Sequence, residues 1–380
     1  MLTTSLPTNH EQITQFLSNY KGIVIIITVI TALIITLIVM PKVVAISKAK
    51  NLTALPNGRT SHKGVIPTLG GVGVFTGVVL TCQVAAILFA NYSQLIDLMV
   101  FNVLILLLLL VGLADDIMKI SPKRKLAYQL LVASIFVMAT NLNINSFVGL
   151  FGIYKISLLS AILFSIFVIV LVINAYNLID GIDGLAGVLG AIISVITAFL
   201  FYYSGYFFYC LISLALIGAL IGFLVFNFSR NRKIFLGDTG SMVVGFVLAI
   251  QMITYLSLAG NNPDKEIFQN APVIVLALLS YPLLDTLRVF CVRIFNKKSP
   301  FSADRNHIHH RLIDLGLKHK WATSLIALYT IGITVLVLAL NHLPTNVVFT
   351  ITVPIAILIL VIPFAIQNNS GKIKFVLPTL

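Results

Sequence analysis

Apolar runs of 18 or more residues recur from one end of this 380-residue chain to the other. Each is long enough to cross a hydrocarbon layer of roughly 30 Å as a helix. In lipid the backbone must satisfy its own hydrogen bonds, so uninterrupted runs of this length mean helices rather than barrel strands. Composition agrees: 59% of residues are hydrophobic and only 10% charged, and the mean hydropathy is +1.04. A water-soluble domain of this make-up would expose one continuous apolar patch. The chain is therefore expected to be an all-α, polytopic membrane protein forming a single membrane-embedded domain. Eleven spans are expected, near 22–46, 69–91, 95–113, 126–140, 157–176, 185–203, 207–228, 240–259, 271–295, 321–340 and 345–366. The first is too long for a cleavable signal peptide and lacks a small-residue cleavage site.

The bases orient these spans. With the N-terminal 20 or so residues outside, 22 of the 25 Lys and Arg fall on the inner side. Only Lys21, Lys155 and Lys265 fall outside. The positive-inside rule then puts the tail after residue 366 in the cytoplasm. The net charge of +13 is a cytoplasmic face, and not a nucleic-acid signature.

That rule does not explain the acids. Eight of the twelve Asp and Glu also fall on or near the inner face, five of them at span ends in "GLADD", "NLIDGIDG" and "FLGDTGS". Ionisable groups at such depth are costly and face a cavity or one another. Taken singly, each has a plainer reading: Asp238 ahead of Thr239, Gly240 and Ser241 suits a helix cap, and Asp285 and Arg288 suit an intrahelical pair. Taken together they cluster on one membrane face. In "NAYNLIDGIDGLAG", Asn174 and Asn177 share a helix face, and Asp180 and Asp183 continue that side past Gly181 and Gly184. Such oxygens suit a hard cation. Mg²⁺ takes few protein ligands and fills its shell with water and phosphate oxygens.

The bases beside them complete a polyanion site. "GRTSHKGVIPTLGGVG" carries Arg59, His62 and Lys63 ahead of a glycine-rich helix start that suits an anion. "SPKRKLAYQ" carries Lys123, Arg124 and Lys125, and "SPFSADRNHIHHRL" carries Arg305, His307, His309, His310 and Arg311. Zinc at the histidines is disfavoured, since no Cys lies nearby and HExxH is absent. The three cysteines, Cys82, Cys210 and Cys291, sit singly in apolar runs and read as small core hydrophobes. Acids, bases and glycines on one face fit Mg²⁺ and a phosphate-rich substrate.

Six stretches, "SHKGVIPTLGG", "LADDIMKISPKRKLAYQ", "NAYNLIDGIDGLAG", "FLGDTGSMVVGF", "PLLDTLRV" and "DRNHIHHRL", span residues 61 to 312. In that order they resemble the polyprenyl-phosphate N-acetylhexosamine-1-phosphate transferases, glycosyltransferase family 4. "HIHHRL" and the eleven spans resemble the bacterial branch that transfers N-acetylglucosamine 1-phosphate.

The resemblance implies a reaction at the cytoplasmic face of a bacterial plasma membrane. Undecaprenyl phosphate, or another polyprenyl phosphate, attacks the β-phosphorus of UDP-N-acetylglucosamine. The products are a lipid-pyrophosphoryl sugar and UMP, committing the first sugar of a surface polymer. It implies that Asn177 and Asp238 hold Mg²⁺, for which Mn²⁺ substitutes. Asp115 and Asp116 handle the lipid phosphate, with Asp115 as base, and Lys63 and Lys125 face phosphate oxygens. Asp183, Asn227 and Phe235 hold uridine, and Asn174 and Asp180 join the substrate-binding set. Arg305, His307, His309 and His310 line the sugar side. A homodimer is compatible with the sequence. Two rivals are weighed against this: the muramyl-pentapeptide transferase branch of the same family, and a cation-coupled transporter. The transporter would show repeat symmetry and midplane acids, whereas these acids lie at one face.

Overall fold

A computed structural model describes residues 19–50, 52–54, 66–297, 299, 306–369 and 372–375. Of the residues singled out above, Arg59, His62, Lys63 and Arg305 lie outside the described residues. The apolar runs fold as helices: α1 (Lys21–Ala49), α2 (Gly70–Phe89), α3 (Tyr92–Met118), α4 (Pro122–Ala139), α5 (Leu158–Leu178), α6 (Leu185–Tyr203), α7 (Phe207–Asn227) and α8 (Gly237–Asn261). They continue as α9 (Ala271–Leu278), α10 (Ser280–Phe295), the short α11 (Ile308–Asp314), α12 (His319–Ala339) and α13 (Thr345–Ala365). Two small antiparallel hairpins complete the described chain: β1 (Thr53–Ala54) with β2 (Ile66–Pro67), and β3 (Ile366–Asn369) with β4 (Lys372–Phe375).

Among the described residues, nine of these helices are long and apolar enough to span a membrane. Two expected spans differ from that simple form. The segment 271–295 is a bent pair, with α9 and α10 meeting at 69°. Pro282 explains the break: a proline ring clashes with the carbonyl four residues earlier, and that residue is Leu278, the last of α9. The segment near 126–140 is α4, only 18 residues long, with Lys123, Arg124 and Lys125 in its first turn.

Helix ends follow local chemistry. Asn91 and Gln94 form a reciprocal capping box at the start of α3, and Ser157 caps α5. Within the spans, hydroxyls of Thr28, Thr76, Thr197 and Thr352 donate to carbonyls four residues back, which satisfies them without water.

The bundle is centred on α8, the most buried span, which packs on α2, α3, α5 and α6. Lipid tails are as apolar as leucine, so helices associate through close packing of small residues. A Cβ on Gly71 would lie 2.2 Å from the Gly240 nitrogen, and one on Gly112 would lie 2.4 Å from the Thr239 Cα. This corrects the anion reading of the glycine-rich start of α2. The amides of Gly70 and Gly71 donate to the carbonyls of Phe235 and Leu236, at 2.9 and 3.0 Å. The glycines are there to bring α2 and α3 against the first turn of α8. Cys82 and Cys210 are buried as expected, but Cys291 is exposed on α10.

Candidate active site

The acidic helix ends meet at one end of the bundle. The end of α3 brings Asp115 and Asp116, and the first turn of α4 brings Lys125. The end of α5 brings Asn177, and the start of α8 brings Asp238. Lys125 Nζ is the hub. It lies 2.9 Å from Asp115 Oδ2, 2.5 Å from Asp238 Oδ1 and 3.2 Å from Asn177 Oδ1. Asn177 Nδ2 donates to Asp238 Oδ1 and to Ser241 Oγ, both at 2.6 Å. The Asp115 and Lys125 side chains are 11% and 13% exposed, whereas Asp238 is 37% exposed. Three oxygens thus converge on one positive charge, with Asp238 on the open side.

The two adjacent aspartates are used differently. Successive helical residues point about 100° apart, so Asp115 faces Lys125 while Asp116 faces α8. Asp116 accepts from the amides of Asp238 and Thr239, at 3.0 and 2.9 Å, and from Thr239 Oγ1 at 2.6 Å. These are orphan donors of a helix N-terminus, where a carboxylate is also favoured by the helix dipole. Gly237 enters that turn at φ +73°, and a Cβ there would lie 2.0 Å from the Thr68 carbonyl.

The loop between α5 and α6 carries the other two aspartates. Burial pushes the Asp180 carboxyl up to about 8; the charges of Asp238, Asp116 and Asp183 add to this, and a hydrogen bond from the Gly237 backbone opposes it. Asp183 behaves in the opposite way. Burial raises it, but hydrogen bonds from His319 and Lys233 outweigh that and hold it below the ordinary carboxylate value. Lys233 Nζ is 2.6 Å and His319 Nδ1 3.1 Å from Asp183 Oδ2.

Two other expected site residues, Asn227 and Asn174, are turned to structural partners. The Asn227 amide is spent on backbone: its Oδ1 accepts from Gly184 at 2.7 Å, and its Nδ2 donates to the Ile234 carbonyl at 2.8 Å. Asn174 lies a turn below the hub and donates to Gln129 Oε1 at 2.6 Å and to the Val170 carbonyl at 2.8 Å. Phe235 is half-buried, with Lys233 Nζ 5.6 Å from its ring centre. His307, His309 and His310 sit together at the start of α11, the rings of His309 and His310 being 4.3 Å apart. His309 abuts the aspartate loop, since a Cβ on Gly181 would lie 2.2 Å from its Nε2. Burial and the neighbouring His310, His307 and His319 hold His309 well below the ordinary imidazole range. Arg311 donates to the Pro363 and Ile366 carbonyls and so caps the end of α13.

Sequence reasoning missed Lys233, His319, Ser241 and Gln129. Lys233 and Ser241 flank "IFLGDTG" and Gln129 closes "SPKRKLAYQ", so all three were within reach of those motifs, while His319 carries no local signal. No group of three His, Cys, Asp or Glu side chains arranged for a metal exists among the described residues. The oxygens of Asp115, Asn177 and Asp238 nevertheless suit a hard cation that needs few protein ligands, because they already surround an ammonium.

Comparison with known proteins decides the family. Residues 98–256 match the profile described as glycosyl transferase family 4. The chain is similar to the probable undecaprenyl-phosphate N-acetylglucosaminyl 1-phosphate transferase of Bacillus subtilis (strain 168), at 32% identity over 309 residues, covering 81% of this chain and 82% of that protein. The chain belongs to glycosyl transferase family 4. It is also 31% identical over 277 residues to the undecaprenyl-phosphate alpha-N-acetylglucosaminyl 1-phosphate transferase of Yersinia pestis, covering 72% of each. A decaprenyl-phosphate N-acetylglucosaminephosphotransferase of Mycolicibacterium smegmatis is 34% identical over 168 residues, covering 42% of this chain and 41% of that protein. This family 4 member is thus a sugar-1-phosphate transferase built as a multi-pass membrane protein.

Proposed function

We propose that this enzyme transfers N-acetylglucosamine 1-phosphate from UDP-N-acetylglucosamine to undecaprenyl phosphate. It releases UMP and opens a cell-surface polysaccharide pathway. The observation that carries the reading is the convergence of Asp115, Asn177 and Asp238 on Lys125 at the ends of four spans. An acceptor phosphate at the membrane interface, its tail in the bilayer, needs chemistry at helix ends. The relatives in B. subtilis and Y. pestis, N-acetylglucosaminyl 1-phosphate transferases for undecaprenyl phosphate by name, support the transferred group and the lipid.

In this reading Lys125 binds phosphate oxygens of the two polyanionic substrates and offsets their repulsion. Asp115, 2.9 Å from Lys125, takes the proton of the acceptor. Asp116 holds the first turn of α8 and thereby Asp238. Asn177 and Asp238 would hold Mg²⁺, which would supply charge stabilisation at the donor pyrophosphate. Asp183 and Phe235 bind the nucleoside, and the histidines bind the sugar. Asn227, with its amide committed to backbone, shapes that pocket from behind.

A panel of UDP-sugars tests the donor directly. Purified enzyme, undecaprenyl phosphate and Mg²⁺ should release UMP with at least tenfold higher kcat/KM for UDP-N-acetylglucosamine than for UDP-N-acetylgalactosamine or UDP-muramyl-pentapeptide, about 1.4 kcal/mol of barrier. Preference for either competitor overturns the donor assignment.

Eleven spans with the N-terminus outside and the active site in the cytoplasm complete the proposal, resting on the 22-to-three bias of bases. Single cysteines replacing Asn57 and Asn306 in a cysteine-free background should resist an impermeant thiol reagent in intact cells and react in inverted vesicles. Labelling of intact cells at either position overturns the orientation.

A further inference from the structure

We propose that Tyr281 and Asp285 on α10 are positioning residues that grip His309 and His307 by their Nδ1 atoms and set the two imidazoles in opposite tautomers. They stand four residues apart, one helical turn, and so face the same side of α10. His307 and His309 stand two apart at the start of α11. Asp285 Oδ2 lies 2.8 Å from His307 Nδ1, and the Tyr281 hydroxyl lies 3.2 Å from His309 Nδ1. Tyr281, Asp285 and His309 are all 0% exposed, and His307 is 5% exposed.

A carboxylate so deeply placed is costly unless it is paired and hydrogen-bonded. Asp285 meets that demand with the His307 ring and the Ile308 amide of the histidine segment and with Arg288 of its own helix. Its Oδ1 accepts the Ile308 amide at 3.0 Å, and Arg288 lies 3.7 Å away on the same helix. An ionised carboxylate only accepts, so His307 carries its proton on Nδ1. In the neutral ring this leaves Nε2 as an acceptor.

Tyr281 imposes the reverse. Among the described residues the buried Tyr281 hydroxyl has no other acceptor than His309 Nδ1, so its hydrogen goes to that nitrogen. His309 is held neutral by its burial. With Nδ1 accepting, its proton sits on Nε2. Among the described residues that buried Nε2 has no hydrogen-bond partner, and it faces Gly181 of the aspartate loop. A buried donor without an acceptor is expensive, and a ligand oxygen would satisfy it. The histidine pair thus offers one acceptor and one donor, which matches a hydroxyl or acetamido group. This last step rests on the sugar-transferase reading above; the tautomers do not.

The test uses the full-length enzyme in lipid nanodiscs, the variants Tyr281→Phe and Asp285→Asn, and two readouts. Histidine ¹⁵N NMR near pH 8.5, assigned with His307→Gln and His309→Gln, should show the proton on Nδ1 of His307 and on Nε2 of His309. Tyr281→Phe should move only the His309 signals. In turnover assays each variant should raise the donor KM about tenfold, with the lipid KM and kcat within twofold of wild type. A wild-type His309 protonated on Nδ1 overturns the proposal. So does a folded variant with unchanged donor KM, or one that loses kcat and both KM values in parallel with its thermal midpoint, because that pattern means packing alone. Tyr281→Phe keeps the ring and decides the matter if Asp285→Asn does not fold. If wild type releases no UMP from any UDP-sugar, the functional reading fails, and the NMR result alone judges the tautomers.

Discussion

Asp238→Ala is expected to abolish turnover, by at least about a thousandfold or roughly 4 kcal/mol of barrier, while the protein still folds and inserts. Asp238 contributes to the site through its side chain and to the fold through its backbone, and the two are separable. Its carboxylate is the open member of the hub, 37% exposed and shared by Lys125 and Asn177. Removing it takes away one proposed metal ligand and half the neutralisation of Lys125, which keeps Asp115 at 2.9 Å. The first turn of α8 is untouched, because Asp116 holds the amide of residue 238 whatever its side chain. Asp116→Ala makes the contrast. It strips the acceptor from three donors of α8 at once and should cost on the order of 2–4 kcal/mol of stability. Kinetics together with thermal unfolding in detergent check both variants. An Asp238→Ala enzyme that keeps more than about a tenth of wild-type rate sinks the proposed role. Equal thermal midpoints for Asp116→Ala and wild type would remove Asp116 from its positioning task.

That contrast marks where sequence stops being readable. Apolar runs announce helices because lipid leaves the backbone no alternative, and each expected span does appear as a helix or a helix pair. The break in the ninth span was also written in the chain, as Pro282 inside an apolar run, but its 69° angle depends on what packs around it. The motif aspartates were visible as a set because charge in an apolar chain is conspicuous. Their division of labour was not. Asp115 and Asp116 are the same residue type side by side, and only the arrangement of α4 and α8 around α3 gives one a lysine and the other a helix N-terminus. Glycines misled for a related reason: Gly70 and Gly71 look like an anion cradle until α8 is seen to fill the space. His319 contacts Asp183 from 136 residues away, and a single histidine at a helix start carries no pattern to find.

Nothing should pass from donor to enzyme until the lipid arrives. Two routes fit a site of this kind. In one, an aspartate attacks the sugar phosphate and forms an acyl-phosphate before the acceptor binds. In the other, the lipid phosphate attacks directly. The geometry favours the second. Asp116 has both oxygens committed to α8, Asp115 is held by Lys125 at 2.9 Å, and Asp183 is paired with Lys233 and His319. Each is thus a poor nucleophile. The lipid phosphate needs little activation, since its second pKa near ~6 leaves much of it dianionic at neutral pH. Asp115 need only complete the deprotonation, and Lys125, freed toward the phosphates, stabilises the charge that builds. Enzyme stripped of all polyprenyl phosphate should therefore catalyse no exchange between labelled UMP and UDP-N-acetylglucosamine in the presence of Mg²⁺. Adding back the lipid should restore both exchange and net transfer. Label entering the UDP-sugar in lipid-free enzyme would establish a covalent intermediate, and Asp115 would then be its first candidate carrier.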